Sequence, residues 1–165
     1  MTTDTIEPFA IADLPCATGR LGIARLPGRT GDLASDVQAI AQWGARLVLS
    51  MTEPDEMAAR GAADLAASLV ARGIGHAMFP IPDFGTPGAD AGWASLSRNL
   101  HRRLAAGERI LLHCMGGKGR SGMVAMRLLV EQGLPADEAL AMVRRARPGA
   151  VETEAQAAWA SREAR

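Results

Sequence analysis

A chain of 165 residues, 48% of them hydrophobic, is long enough to bury one substantial core. Its 18 basic and 18 acidic residues cancel, leaving no global field to gather nucleic acid or an anionic membrane surface. No apolar run approaches the length that spans a bilayer, and two cysteines, Cys16 and Cys114, are too few for a disulfide-stapled scaffold.

Residues 1–7 lack the basic and apolar regions of a secretory signal, so a cytoplasmic, reducing compartment is the expected setting. Residues 1–12 have little periodicity and are expected to form an N-terminal arm ahead of a single domain over 13–165. Cys16 reads as a small buried hydrophobe, the alternative being a protective disulfide with Cys114. Residues 21–26 read as a strand closed by Pro27-Gly28. Residues 32–43 carry apolar side chains at helical spacing, with Trp43 in the core, and stop at Gly44. Residues 46–51 form a buried strand, Thr52-Glu53-Pro54-Asp55-Glu56 a capped helix start, 64–71 a helix ended by Gly73, and 74–79 another strand. His76 is expected to be structural. The prolines and glycines of 79–92 make a loop that holds Asp83.

Trp93, Leu96, Leu100 and Leu104 make the core stripe of the next helix. Its Arg98, His101, Arg102 and Arg103 read as a solvated face, as do Arg144, Arg145 and Arg147 on the helix over 136–146. Between these helices lie a strand at 109–112 and a helix at 123–130, and a last helix covers 153–164. Strands alternating with helices predict an α/β fold: a central, mostly parallel sheet of about five strands flanked by helices. Ligands of such sheets bind beyond the strand carboxyl ends, and Asp83 and Cys114 both follow such ends.

The stretch His113-Cys114-Met115-Gly116-Gly117-Lys118-Gly119-Arg120-Ser121-Gly122 joins a strand to a helix. A Gly-rich loop there gathers successive N–H groups into a concavity at a helix N-terminus, which suits an anion. The helix end, the amides and Arg120 each favour the thiolate of Cys114 over the thiol. The planar fork of Arg120 suits two oxygens of a tetrahedral oxyanion. A nucleophile in an anion cradle points to phosphoryl transfer.

Other readings fit less well. Residues 117–122 satisfy G-x-G-x-x-G, but no second parallel strand ending in an acidic residue follows. A Walker loop needs Ser or Thr where Gly119 follows Lys118. Low-molecular-weight phosphatases and arsenate reductases carry such loops near the N-terminus, and a rhodanese-like carrier has no use for Asp83. An inert turn leaves Cys114, Arg120, Ser121 and Asp83 to coincidence.

Cysteine, five residues, arginine, then serine is the signature of cysteine-dependent protein phosphatases. The chain resembles their dual-specificity branch. Residues 80–87, Pro-Ile-Pro-Asp-Phe-Gly-Thr-Pro, are similar to that branch's general-acid loop, roughly thirty residues ahead of the cysteine. Residues 22–28 and 149–153 are similar to segments of cyclin-dependent-kinase-inhibitor-3-type (kinase-associated) phosphatases, the group most resembled, over roughly residues 13–163.

The resemblance implies a protein tyrosine phosphatase-like fold and a set of roles. Cys114 would attack phosphorus, with Arg120 and the backbone of Met115, Gly116, Gly117, Lys118 and Gly119 holding the phosphate. Asp83 would be the general acid, Ser121 would hydrogen-bond the sulfur, His113 would tether the loop, and Gln156 would position water. No metal or cofactor is implied. The substrate would be a phosphorylated protein, on phosphotyrosine and also phosphoserine or phosphothreonine. The chain has no tyrosine and so lacks the recognition loop of larger phosphotyrosine enzymes. Lys118 is similar to a loop lysine of phosphoinositide phosphatases. A phosphoinositide or other multiply phosphorylated small molecule is therefore the alternative substrate. A non-catalytic phosphoprotein-binding module is a third reading, against which the joint presence of Cys114, Arg120 and Asp83 weighs. A monomer is expected, with no nucleic acid partner and no stable membrane association.

Overall fold

A computed structural model of the chain describes residues 8–89 and 91–162. Five strands form one sheet in the order β1-β2-β5-β3-β4. They are β1 (Ala12–Cys16), β2 (Gly19–Ala24), β3 (Ala45–Ser50), β4 (Gly75–Met78) and β5 (Arg109–His113). Strands β2 to β5 are parallel, and β1 is an antiparallel edge. The helices are α1 (Leu33–Trp43), α2 (Pro54–Ala59), α3 (Leu65–Val70), α4 (Trp93–Ala105), α5 (Gly119–Glu131), α6 (Ala136–Ala146) and α7 (Glu154–Ala160).

Alternation along the strands builds two cores. Leu21, Ile23, Leu47, Leu49, Ile110 and Leu112 face one side, where α4, α5, α6 and α7 supply Leu100, Met123, Val143 and Trp159. Ala24, Val48 and Leu111 face the other, against Val37, Ile40, Leu65 and Leu69 of α1 and α3. The central strand β5 is buried on both faces, which is why its run Ile110-Leu111-Leu112 is apolar without alternation.

The predicted elements are present with shifted ends, and β1 is an addition. Leu14 and Cys16 of β1 point into the core while Pro15 points out; β1 is an edge strand, and Arg20 opposite Pro15 turns its own N–H to the Glu108 carbonyl, so the proline's missing N–H removes no ladder bond. The expected arm differs too. Residues 1–7 lie outside the described residues, but Phe9 and Ile11 pack on the α1-side core, with the Arg25 guanidinium 5.3 Å over the Phe9 ring. Helix α7 ends at Ala160, and the last two residues of the predicted helix, 163 and 164, lie outside the description. Among the described residues no helix is long and apolar enough to cross a membrane.

Candidate active site

The loop from Cys114 to Lys118 turns sharply out of β5 into α5 at the carboxyl edge of the sheet. Gly117 makes that turn possible, with φ +73 and a backbone so close to β2 that a Cβ would stand 2.5 Å from the Ala24 carbonyl carbon. Every backbone carbonyl of the loop is held from outside. His113 Nδ1 lies 3.2 Å from the Cys114 oxygen. The Met115 oxygen accepts from the Leu26 amide and from Arg29 Nη1. Arg147 donates to the oxygens of both Gly117 (2.9 Å) and Gly116 (3.0 Å). The Lys118 oxygen accepts from the amides of Gly122 and Val151. Because a trans peptide is planar, fixing its carbonyl outward turns its N–H the opposite way, into the concavity. A concavity of N–H groups that suits an anion is thus imposed by the shell around it.

Cys114 is buried on the floor of this loop, its Sγ 3.2 Å from Ser121 Oγ. Arg120, 1% exposed, is the largest fully buried side chain. Glu56 grips its fork through two bonds, Nη1–Oε2 at 2.7 Å and Nη2–Oε1 at 2.9 Å, and the Ile81 carbonyl accepts a third at 3.0 Å. Burial pulls the Arg120 pKa down, but the Glu56 hydrogen bond and the charges of Cys114, Glu56 and Asp83 carry it above its ordinary value. For Glu56, burial pushes upward, and the bonds from Arg120 and the Glu53 backbone hold its carboxyl below the usual range.

Asp83 sits exposed beside this pair, its Oδ1 3.2 Å from Arg120 Nη2. The Phe84 amide donates to the same oxygen, and Phe84 takes φ +59, so the turn itself aims the carboxylate at the cradle. Gln156 is buried where three segments meet. Its Oε1 accepts from the amides of Glu152 and Thr153, and its Nε2 donates to the Gly85 carbonyl at 3.2 Å. A Cβ on Gly119 would stand 3.2 Å from either polar atom of Gln156 and would collide with the Glu152 carboxylate. Gln156 therefore links the Asp83 loop to the loop of Cys114. Lys118 is half-buried, with its aliphatic chain along Gly149.

All the sequence-predicted site residues converge here. The sequence reading missed Glu56, taken only as part of a helix start; Glu56 does close the capping box of α2 while its carboxylate holds Arg120. It was also incorrect for Arg147. Arg144 and Arg145 are exposed as expected, Arg144 also donating to the carbonyls of Ala150 and Val151, but Arg147 is half-buried and straps the loop through Gly116 and Gly117. An arginine next to Pro148-Gly149, where α6 must stop, was the available signal. On α4, Arg98 and Arg102 are exposed, whereas His101 and Arg103 pair with Glu131 and Glu108. His76 is structural in that its Nε2 contacts Ser50 Oγ at 2.8 Å.

Cys16 stands at the opposite pole. It pairs with Gly19 at the start of β2, one level before the Arg20–Arg109 pair, while Cys114 follows the end of β5. Six strand levels, about 20 Å, separate the two, well beyond disulfide reach. Burial pushes the Cys16 thiol up to about 12, as an inert core residue requires. Among the described residues no three His, Cys, Asp or Glu side chains cluster as a metal site would.

A family model described as "Swiss Army Knife protein, DSP-PTPase phosphatase domain" matches residues 26–159. Among solved structures, Tk-PTP in its active form is 33% identical, over 86% of this chain and 88% of that one, with a TM-score of 0.70. Kinase-associated phosphatase (KAP), with its catalytic-site cysteine replaced by serine, is 24% identical over 93% of each chain, with a TM-score of 0.83. PTPMT1 in complex with PI(5)P is 16% identical over 90% of this chain and 92% of that one, with a TM-score of 0.70. The last two are likenesses of fold.

Proposed function

Since the chain belongs to the DSP-PTPase phosphatase-domain family and is a cysteine-dependent protein phosphatase, we infer that Cys114 is its nucleophile and Asp83 its general acid. The observation that carries this is convergence. Asp83, on a loop far upstream, meets Arg120 at 3.2 Å before a cradle whose floor is the Cys114 sulfur.

The Cys114 thiolate attacks phosphorus in line. The S–P bond forms, the P–O bond to the substrate breaks, and the leaving oxygen takes the proton of Asp83. The inward amides of residues 115–120 and the Arg120 guanidinium stabilise the charge on the equatorial oxygens. A phosphate oxygen on Nη2 displaces the Asp83 contact there, which frees that carboxyl to turn to the leaving group. In the second step water attacks phosphorus, Asp83 takes its proton, and Cys114 leaves as thiolate. Ser121, 3.2 Å from the sulfur, donates to it as charge returns. Gln156, whose Nε2 donates to the Gly85 carbonyl beside the Asp83 loop, orients that water in this reading. His113 ties down the Cys114 carbonyl.

The substrate in this reading is a phosphorylated protein, on phosphotyrosine and on phosphoserine or phosphothreonine, and the working unit is a monomeric single domain over 13–165 in the cytoplasm. The half-buried Lys118 favours a second substrate class, a phosphoinositide or similarly polyanionic small molecule, and PTPMT1 has been solved with PI(5)P. The test is phosphate release from phosphotyrosine, phosphothreonine and phosphoinositide substrates in chelator, with Cys114→Ser beside each. Peptide turnover that vanishes in the variant is the expected result. Turnover that survives Cys114→Ser removes the nucleophile assignment, and strong preference for the inositide makes Lys118 the selecting residue.

A further inference from the structure

Three polar side chains lie in a row across neighbouring strands at the edge of the α1-side core. Ser50 closes β3 and pairs in register with His113 of β5, while His76 of β4 pairs with Val48, two residues before Ser50. Register-paired residues share a face and side chains alternate along a strand, so all three point to one side. Ser50 Oγ lies 2.5 Å from His113 Nε2 and 2.8 Å from His76 Nε2. His113 Nδ1 lies 3.2 Å from the Cys114 carbonyl oxygen.

Counting protons gives this row a direction. A carbonyl oxygen only accepts, so His113 carries its proton on Nδ1. His113 is 0% exposed, and burial keeps it neutral at ordinary pH, so its Nε2 is a bare acceptor. The Ser50 hydroxyl must then donate to Nε2. Having spent its one proton, Ser50 accepts from His76, which is therefore protonated on Nε2. The row reads His76 N–H to Ser50 O–H to His113 N–H to Cys114 C=O, each donor polarised by the one behind it.

We propose that His76 and Ser50 are positioning residues for the reaction: they fix the His113 tautomer and, through it, the peptide that carries the first amide of the cradle. The Cys114–Met115 peptide is the only loop peptide whose carbonyl is held by a ring that can change tautomer. The others are held by backbone amides or by arginine, whose donors are permanent. Without the Ser50 proton at Nε2, His113 is free to place its own proton there. Its Nδ1 would then turn a lone pair to the Cys114 oxygen, and the peptide would lose its tether. Being half-buried on β4, His76 is the end of the row nearest solvent.

This inference rests on the assignment of Cys114 as nucleophile, and the test separates the two. In the full chain labelled with 15N-histidine, the expected spectrum at neutral pH has His113 protonated on Nδ1 only and His76 on Nε2. His113 protonated on Nε2 overturns the proposal, whatever the activity. In kinetics, Ser50→Ala and His76→Phe are each expected to lower kcat/KM about three- to tenfold, one hydrogen bond's worth. The double variant is expected to lose no more than Ser50→Ala alone, because both act through one row. His76→Gln, whose amide N–H reaches the same point, recovers most of the loss. Losses that multiply, or no recovery by glutamine, overturn the proposal while leaving the nucleophile intact. Turnover surviving Cys114→Ser overturns the nucleophile and this inference with it.

Discussion

The chemistry of this site sits in residues that meet only in space around residues that meet in sequence. Cys114, Arg120 and Ser121 lie on one continuous stretch, so their spacing alone pointed to an anion cradle with a nucleophile. Asp83 was legible only beside that stretch, because a Pro-Asp pair in a Pro- and Gly-rich loop reads by itself as a turn. Glu56 had no such signal and Arg147 only its place beside the Pro148-Gly149 stop, since what gives them meaning is a partner 64 positions away for one and two loop carbonyls for the other. Their roles give two predictions. Removing Glu56 leaves the Arg120 fork without the carboxylate that orients it, so Glu56→Ala should lower kcat/KM about a hundredfold. A loss under threefold in steady-state kinetics on an aryl phosphate would show that Arg120 orients itself. Arg147→Ala should weaken inhibition by inorganic phosphate about tenfold, because the Gly116 and Gly117 peptides lose their outward anchors. Arg145→Ala, one turn away from nothing but solvent, serves as the control and should leave that inhibition unchanged.

At the scale of elements, patterning exposed most of the sheet, and what it hid has physical causes. β1 escaped because Pro15 interrupts a five-residue run, a feature tolerated only on an edge strand. The polar side of α4 misled for a different reason. Trp93, Ser97 and His101 recur every four residues and so lie along one stripe, but the two polar members face a single buried carboxylate. Glu131, at the end of α5, accepts from Trp93 Nε1 (3.1 Å), Ser97 Oγ (2.7 Å), His101 Nε2 (3.1 Å) and Arg127 Nε (3.2 Å). Its side chain is only 6% exposed. Arg127 in turn stacks 4.7 Å over Trp159, which ties α7 to the same knot. Glu131→Ala leaves those donors facing nothing and should cost about 3 kcal/mol of stability. Urea titration measures it, and a change below about 1 kcal/mol would mean that water replaces the carboxylate at no loss. Because the knot lies away from the cradle, the folded variant should keep its kcat.

For the molecule as a whole, two buried titratable groups set the response to acid, and they act in successive windows. An unfolded histidine takes up its proton near pH 6.5, whereas His113 does so only at about 4, because burial denies the imidazolium its hydration and His76 and Arg120 add like charge. Between these values the unfolded chain holds more protons than the folded one. Stability is therefore full above pH 6.5 and falls as the pH drops to about 4, by about 2 kcal/mol at pH 5. His76, whose pKa burial also lowers, pulls the same way. Glu131 leads the lower window, and Glu56, also held below the usual carboxylate range, pulls the same way. Burial alone would raise the Glu131 pKa, but the bonds from His101, Ser97, Trp93 and Arg127 hold it down to about 2, against 4.5 for a free glutamate. Its contribution is whole above pH 4.5 and is lost as the pH falls from there toward 2. Urea midpoints at pH 7.5, 5 and 3 separate the two stages. The wild type should lose stability in both intervals. Glu131→Gln, less stable throughout, should lose as much as wild type between pH 7.5 and 5 and distinctly less between 5 and 3. A flat wild-type curve above pH 5 would mean that His113 is hydrated or charged in the fold, and the hydrogen-bonded row through Ser50 could then not have the direction that its burial requires.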